Sequence, residues 1–126
     1  MKAGEIDSKT LTYSICVVNF NMASVIEKAL LSVLNQIDSN YELLVIDDGS
    51  NDNSVKILQN LSERYELLRY ISIERDRKRL LGETRNISIR EAKGKYVILY
   101  IDADDFWDPY IKDFVKVFHN IKNYYG

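Results

Sequence analysis

Cysteine, histidine and proline occur once each in this chain, and glycine only five times. The single thiol, Cys16, lies in an apolar run and cannot close an internal disulfide, so a reducing compartment is expected. The lone histidine, His119, falls in a predicted final helix and reads as a surface residue, which leaves histidine triads and zinc sites without a candidate. So little proline and glycine makes no flexible linker, and no internal repeat or low-complexity tract is present. No G-x-G-x-x-G follows the first apolar run and no G-x-x-x-x-G-K-[ST] occurs, so dinucleotide and P-loop sites lack their glycines. Positive charge is not in surplus either. Seventeen Lys and Arg face nineteen Asp and Glu for a net charge of −2, which argues against wholesale nucleic-acid binding. No apolar stretch approaches the ~20 residues that span a bilayer. The N-terminal "MKAGEIDSKTLTY" lacks the apolar centre of a secretory signal. The expectation is a cytoplasmic domain, at most peripheral to the inner face of a membrane.

What the chain does hold is a hydrophobic fraction of 46% over 126 residues, enough for one compact domain with its own core. Apolar runs with β-branched residues predict strands at "YSICVVNF" (13–20), "YELLVIDD" (41–48), "LLRYISI" (67–73) and "YVILYI" (96–101). Between them lie helical patterns. Asn21 stands where it can cap a helix whose apolar positions are Val25, Ile26, Ala29, Leu30, Val33 and Leu34. "GSND" stops the second strand, and a helix from about Ser54 to Tyr65 follows with Val55, Leu58 and Leu61 inward. A third helix is predicted near Thr84 to Ala92, with Gly94 as its stop. Asp108-Pro109 opens a fourth, to about Tyr124, with Asp108 as its cap. Strict alternation of this kind predicts an α/β fold, a mainly parallel sheet of about four strands with helices on both faces. In such sheets ligands bind beyond the carboxyl ends of the strands, where "NFN", "DDGS" and "DADD" all fall.

The last cluster gathers Asp102, Asp104 and Asp105 at a strand end, and like charges so placed repel unless a cation sits among them. On an extended segment Asp102 and Asp104 share a side, and two carboxylates there suit a hard divalent ion, Mg²⁺ or Mn²⁺. Such an ion can neutralise a diphosphate leaving group. The plainer alternative is that these acids end a strand and cap a helix. In "VIDDGS", one of Asp47 and Asp48 suffices as a turn former beside Gly49, and the other can accept a hydrogen bond from a base N–H or a ribose hydroxyl. Arg85 sits at the predicted start of the third helix, where a guanidinium and free backbone N–H groups favour a diphosphate; a plain surface arginine is the alternative. The run Arg75, Arg77, Lys78, Arg79 is interleaved with Glu74, Asp76 and Glu83 and reads as a solvated loop.

Taken in order, "SICVVNFN", "AL" and "SVLNQ", "YELLVIDDGSND" and "GETRNISIREAKGKYVILYIDADDFW" resemble the nucleotide-binding half of family 2 glycosyltransferases, which have the GT-A fold. The resemblance runs from about Ser14 to the final helix. It implies a nucleoside-diphosphate sugar donor of the UDP or GDP type, with Asp48 on the base and the Asn19 to Asn21 region lining its pocket. It puts Arg85 near the base or the diphosphate, Asp102 at the ribose or the metal, and Asp104 as the principal metal ligand. Two departures stand out: Val18-Asn19 precedes the Phe20-Asn21 pair where the family has proline or threonine, and "RDRKRLL" replaces a Gly/Asn-rich stretch. Family members carry the acceptor site and the catalytic-base carboxylate well downstream. On that basis residues 1–126 are expected to be one nucleotide-sugar-binding domain, the N-terminal part of a longer inverting transferase. The base, the saccharide or lipid-linked acceptor and any membrane association would belong to the remainder. The rival readings are a non-catalytic nucleotide-binding or interaction module and, ranked lower, a receiver-like phosphorylation domain. The latter would need a solitary aspartate after the third strand, which ends in "SIER" instead.

Overall fold

The computed structural model describes residues 11–100, which alternate strand and helix without exception. The elements are β1 (Tyr13–Asn19), α1 (Ala23–Leu34), β2 (Tyr41–Asp48), α2 (Ser54–Arg64), β3 (Leu68–Ile73), α3 (Leu81–Glu91) and β4 (Tyr96–Tyr100). All strand pairs are parallel, in the order β3-β2-β1-β4. The predicted α/β class and all four strands are thus present. The final helix expected from Asp108 lies outside the described residues.

β1 and β2 hold the centre of the sheet and every residue in them is buried, which is why they read as near-continuous apolar runs. Their side chains still alternate. Tyr13, Ile15 and Val17 of β1 and Leu43 and Val45 of β2 meet Ile26, Leu30, Val33 and Leu34 of α1 and Leu58 and Leu61 of α2 in the main core. Cys16, Leu44 and Ile46 face the other way, against Ile87 of α3 and the adjoining Ala92.

The two-sided cover follows from topology. The chain steps from β1 to β2 to β3 in one direction, then returns past β1 to lay down β4. Because crossovers are right-handed, reversing direction moves the helix to the opposite face, so α1 and α2 share one side and α3 takes the other. The reversal falls between β1 and β4, and it is at such a switch point, at the carboxyl rim, that open α/β sheets bind ligands.

The opposite, amino-terminal rim is tied by a buried carboxylate. Glu42 accepts hydrogen bonds from Ser14 Oγ (2.6 Å), from Arg69 Nε and Nη2 (3.2 and 3.1 Å) and from the Lys93 backbone N–H (2.7 Å). Arg69 Nη2 also donates to the Glu91 carbonyl at the end of α3 (2.6 Å), where a cation favours the helix dipole. A Cβ on Gly94 would lie 2.6 Å from the Ser14 nitrogen. Gly94 is therefore required by close approach to β1, and it is not the helix stop that its position suggests: α3 ends at Glu91, with an extended Ala92 after it.

Candidate functional site

The carboxyl ends of β1 and β2 carry two different constructions, one on each face of the sheet. Asn19 and Asp47 are paired in register and point toward the α1/α2 side. Both are fully buried. Asn19 Nδ2 donates to Asp47 Oδ1 (2.9 Å) and to Ser50 Oγ (3.3 Å), while Ser50 donates from Oγ to Asp47 Oδ1 (2.7 Å) and from its backbone N–H to Oδ2 (3.0 Å). Asp47 is thus the turn-forming member of the aspartate pair. Asn21 joins the same turn: its backbone N–H donates to Ser50 Oγ (2.9 Å) and its Oδ1 accepts from the Asn51 N–H (2.9 Å).

Asn21 does not cap α1. Its φ of +50° puts it in the left-handed region, which asparagine tolerates, and Met22 stands at the helix N-cap without a side-chain bond. The cap comes instead from Asp52 in the next loop, whose Oδ2 accepts from Ala23 N–H (3.0 Å) and whose Oδ1 accepts from Ser54 N–H at the start of α2 (2.9 Å). One carboxylate therefore serves two helix N-termini. Burial pushes the Asp52 carboxyl up, but hydrogen bonds from Ser54 and the Ala23 N–H outweigh it and hold the group below the usual carboxylate range.

One residue further along each strand, alternation carries Phe20 and Asp48 to the α3 side. Asp48 keeps only 12% of its side chain exposed and is gripped twice: Arg75 Nη1 donates to Oδ2 (2.7 Å) and Arg79 Nη1 to Oδ1 (2.8 Å). Arg79 Nη2 also donates to the Glu74 carbonyl (3.0 Å). The Arg75 guanidinium carbon lies 3.9 Å from the centre of the Phe20 ring, itself 39% exposed. Gly49, at φ +69°, is what lets the Arg75 backbone come this close, since a Cβ there would fall 2.5 Å from the Arg75 nitrogen. Two arginines of the basic loop thus pair with Asp48, Arg79 largely covered and Arg75 half-exposed, which corrects its reading as a merely solvated segment. Arg77 and Lys78 remain exposed.

Arg85 is the fifth residue of α3, because the helix begins at Leu81, three residues before the predicted start. Its own N–H is therefore not among those left free at the helix start, and the anion-binding argument from helix position does not apply to it. Its Nε is buried without a hydrogen-bond partner. Asp102, Asp104 and Asp105 lie outside the described residues. Among the described residues no cluster of three or more His, Cys, Asp or Glu could hold a metal ion, and no helix is long and apolar enough to cross a membrane.

Sequence reasoning brought Asn19, Asn21 and Asp48 to one rim, and they do lie there, but on different faces of the sheet: the two asparagines lock the turn after β2, while Asp48 faces the other side with Phe20, Arg75 and Arg79. Phe20 was legible, since period-two alternation from Asn19 puts residue 20 on the Asp48 face. The arginines were not, because they stand 27 and 31 residues from their carboxylate.

Comparison with known proteins bears on the family and the fold. The family model described as Glycosyl transferase family 2 matches residues 14–125. Chondroitin synthase from Escherichia coli is 32% identical over 112 residues, 86% of this chain and 16% of that protein. Two solved structures share the fold. S. aureus TarS 1–349 in complex with UDP-GlcNAc superposes with a TM-score of 0.74 at 23% identity over 87% of this chain and 31% of its own. The mannosyltransferase PcManGT from Pyrobaculum calidifontis, in complex with GDP-Man and Mn²⁺, gives 0.69 at 23% identity over 84% and 32%. The chain spans about a third or less of the length of each of these three proteins.

Proposed function

The chain belongs to glycosyl transferase family 2, and from that membership we propose that it is the donor-binding part of an inverting glycosyltransferase that takes a nucleoside-diphosphate sugar. The observation that carries the reading is Asp48: a nearly buried carboxylate at the carboxyl rim of a central strand, linked through Arg75 to the exposed ring of Phe20. A carboxylate acceptor next to an aromatic face is what a nucleobase with an N–H donor needs, because the ring stacks and the N–H binds the oxygen. Uracil and guanine both offer such a donor, in line with the UDP-GlcNAc and GDP-Man held by the two structural relatives.

Around this pair each remaining residue has one task. Asn19, Asp47, Asn21 and Ser50 hold the loop between β1 and α1 against the turn after β2, and so set the spacing of Phe20 from Asp48. Arg85 is a donor for the diphosphate, since a buried Nε with no partner is costly to leave unmet and an anion meets it. Asp102 and Asp104 would hold Mg²⁺ or Mn²⁺; the donor set, two carboxylates, matches hard divalent ions, and the bound ion would neutralise charge on the departing diphosphate. Of the rim carboxylates described, Asp47 is buried and fully engaged and Asp48 is paired twice, so neither is suited to deprotonate an acceptor. We assign that base, and the saccharide or lipid-linked acceptor, to no described residue, and we expect the chain by itself to bind the donor without transferring sugar efficiently.

Calorimetric titration of the chain with UDP and GDP, with and without Mn²⁺, tests the proposal. Binding is expected to strengthen with Mn²⁺, to weaken at least tenfold in Asp48→Asn, and to lose its metal dependence in Asp104→Ala. Uptake indifferent to all three changes would remove the basis of the assignment.

A further inference from the structure

We propose that Arg75 is a gate on the base site, an internal competitor that must leave Phe20 and Asp48 before a nucleobase can use them. The inference rests on the base-site reading above and adds to it how access to that site is set. The Arg75 guanidinium stands 3.9 Å over the Phe20 ring and 2.7 Å from Asp48 Oδ2, so one planar cation engages both groups assigned to the base. A guanidinium resembles the edge of a base in the ways that matter here, being flat, π-delocalised and rich in N–H donors. The ring face and the carboxylate lone pair cannot serve it and a base together.

The two arginines on Asp48 are not equivalent, and the difference identifies the mobile one. Arg79 is 18% exposed and bonded a second time, to the Glu74 carbonyl, so it is built in. Arg75 is 44% exposed, and of its two contacts one is the exposed Phe20 ring and the other an Asp48 oxygen on a carboxylate that Arg79 also serves. A cation over an exposed ring is a weak interaction, and a half-exposed guanidinium can exchange its bond to Asp48 for water while Arg79 keeps its own, so the arrangement can be displaced yet is not negligible. The Arg75 backbone is seated against Gly49, where even a Cβ would not fit, so the opening motion is a side-chain swing and not a loop movement. With Arg75 released, Arg79 still bonds Asp48 Oδ1, which leaves Oδ2 as the open acceptor.

A gate of this kind acts as a tax on affinity, since the apparent Kd is the intrinsic value divided by the open fraction. If the closed arrangement holds about nine molecules in ten, removing the gate tightens binding about tenfold. The test is calorimetric titration of UDP and GDP into the wild-type chain, Arg75→Ala and Arg75→Gln, with Phe20→Ala as the reference for the base site and circular dichroism to verify folding. Arg75→Ala is expected to bind about three- to tenfold more tightly than wild type, with Arg75→Gln in between, while Phe20→Ala binds more weakly. Should Arg75→Ala fail to fold, Arg75→Gln alone decides the direction. Unchanged or weaker binding in the folded Arg75 variants overturns the gate and leaves the base site standing, because Arg75 would then be a bystander or a ligand. Uptake in none of the proteins, or uptake that Phe20→Ala leaves unchanged, overturns the base site and the gate with it.

Discussion

Cys16 shows how far one residue's chemistry is set by where the strand puts it. It is buried beneath α3, and burial first, then the nearby Glu42 charge, pushes its thiol up to about 12 from an ordinary 9.0, against a smaller opposing pull from Arg69. Below about pH 9 the thiol is neutral in both states and its burial costs nothing in ionisation. Between there and about 12 the unfolded chain ionises while the folded one does not, so the stability contribution is lost as pH rises. We expect Cys16 to resist a thiol reagent in the native chain at pH 8 and to react promptly in urea. Prompt reaction without denaturant would contradict its placement in the core. The sequence announced this residue well, since a cysteine between β-branched neighbours in a strand is an apolar side chain first. It announced Arg75 and Arg79 poorly. The interleaved acids Glu74, Asp76 and Glu83 made a solvated loop the economical reading, whereas Asp48 draws the two arginines to it because it is nearly buried and its charge is less screened by water.

Among elements, the strands and the first two helices were readable because the pattern of apolar residues matches one period over their whole length. The starts of α1 and α3 were not. α1 begins without a side chain of its own at the cap and borrows Asp52 from a loop that is distant in sequence. α3 begins after an extended Leu80, and with Gly82 in its first turn nothing local marks the start. The Asp52 arrangement has a pH consequence. Because its carboxyl is held below the usual range, its contribution is present at neutral pH and fades as acid titrates it through that depressed value. Asp52→Asn should lower the thermal midpoint at pH 7 and narrow the gap to wild type as pH falls, since the wild type then loses the same charge. Equal midpoints at pH 7 would show that the shared cap contributes nothing.

At the scale of the whole molecule, the sheet is tied at both ends by polar groups, and the two ends do different work. The amino-terminal rim gathers β1, β2, β3 and the α3–β4 connection on Glu42, whose side chain is 3% exposed. Glu42→Ala should cost about 3 kcal/mol in urea unfolding, because it leaves the Arg69 guanidinium without its carboxylate and takes the acceptor from the Ser14 hydroxyl and the Lys93 N–H. A loss below about 1 kcal/mol would mean the network merely fills space. The carboxyl rim keeps one face for structure, with Asn19 and Asp47, and carries Phe20 and Asp48 on the other, where we propose that the base binds. By itself the sequence determined the α/β class and the order and approximate place of the four strands and first three helices, because hydrophobic periodicity is a property of neighbouring residues. Only the tertiary structure decided which of two adjacent aspartates is a turn former, which asparagines are tied into that turn, and which arginines close over Asp48. Those outcomes depend on burial and on partners about thirty residues apart, and charges that far apart along the chain meet only after the sheet has formed.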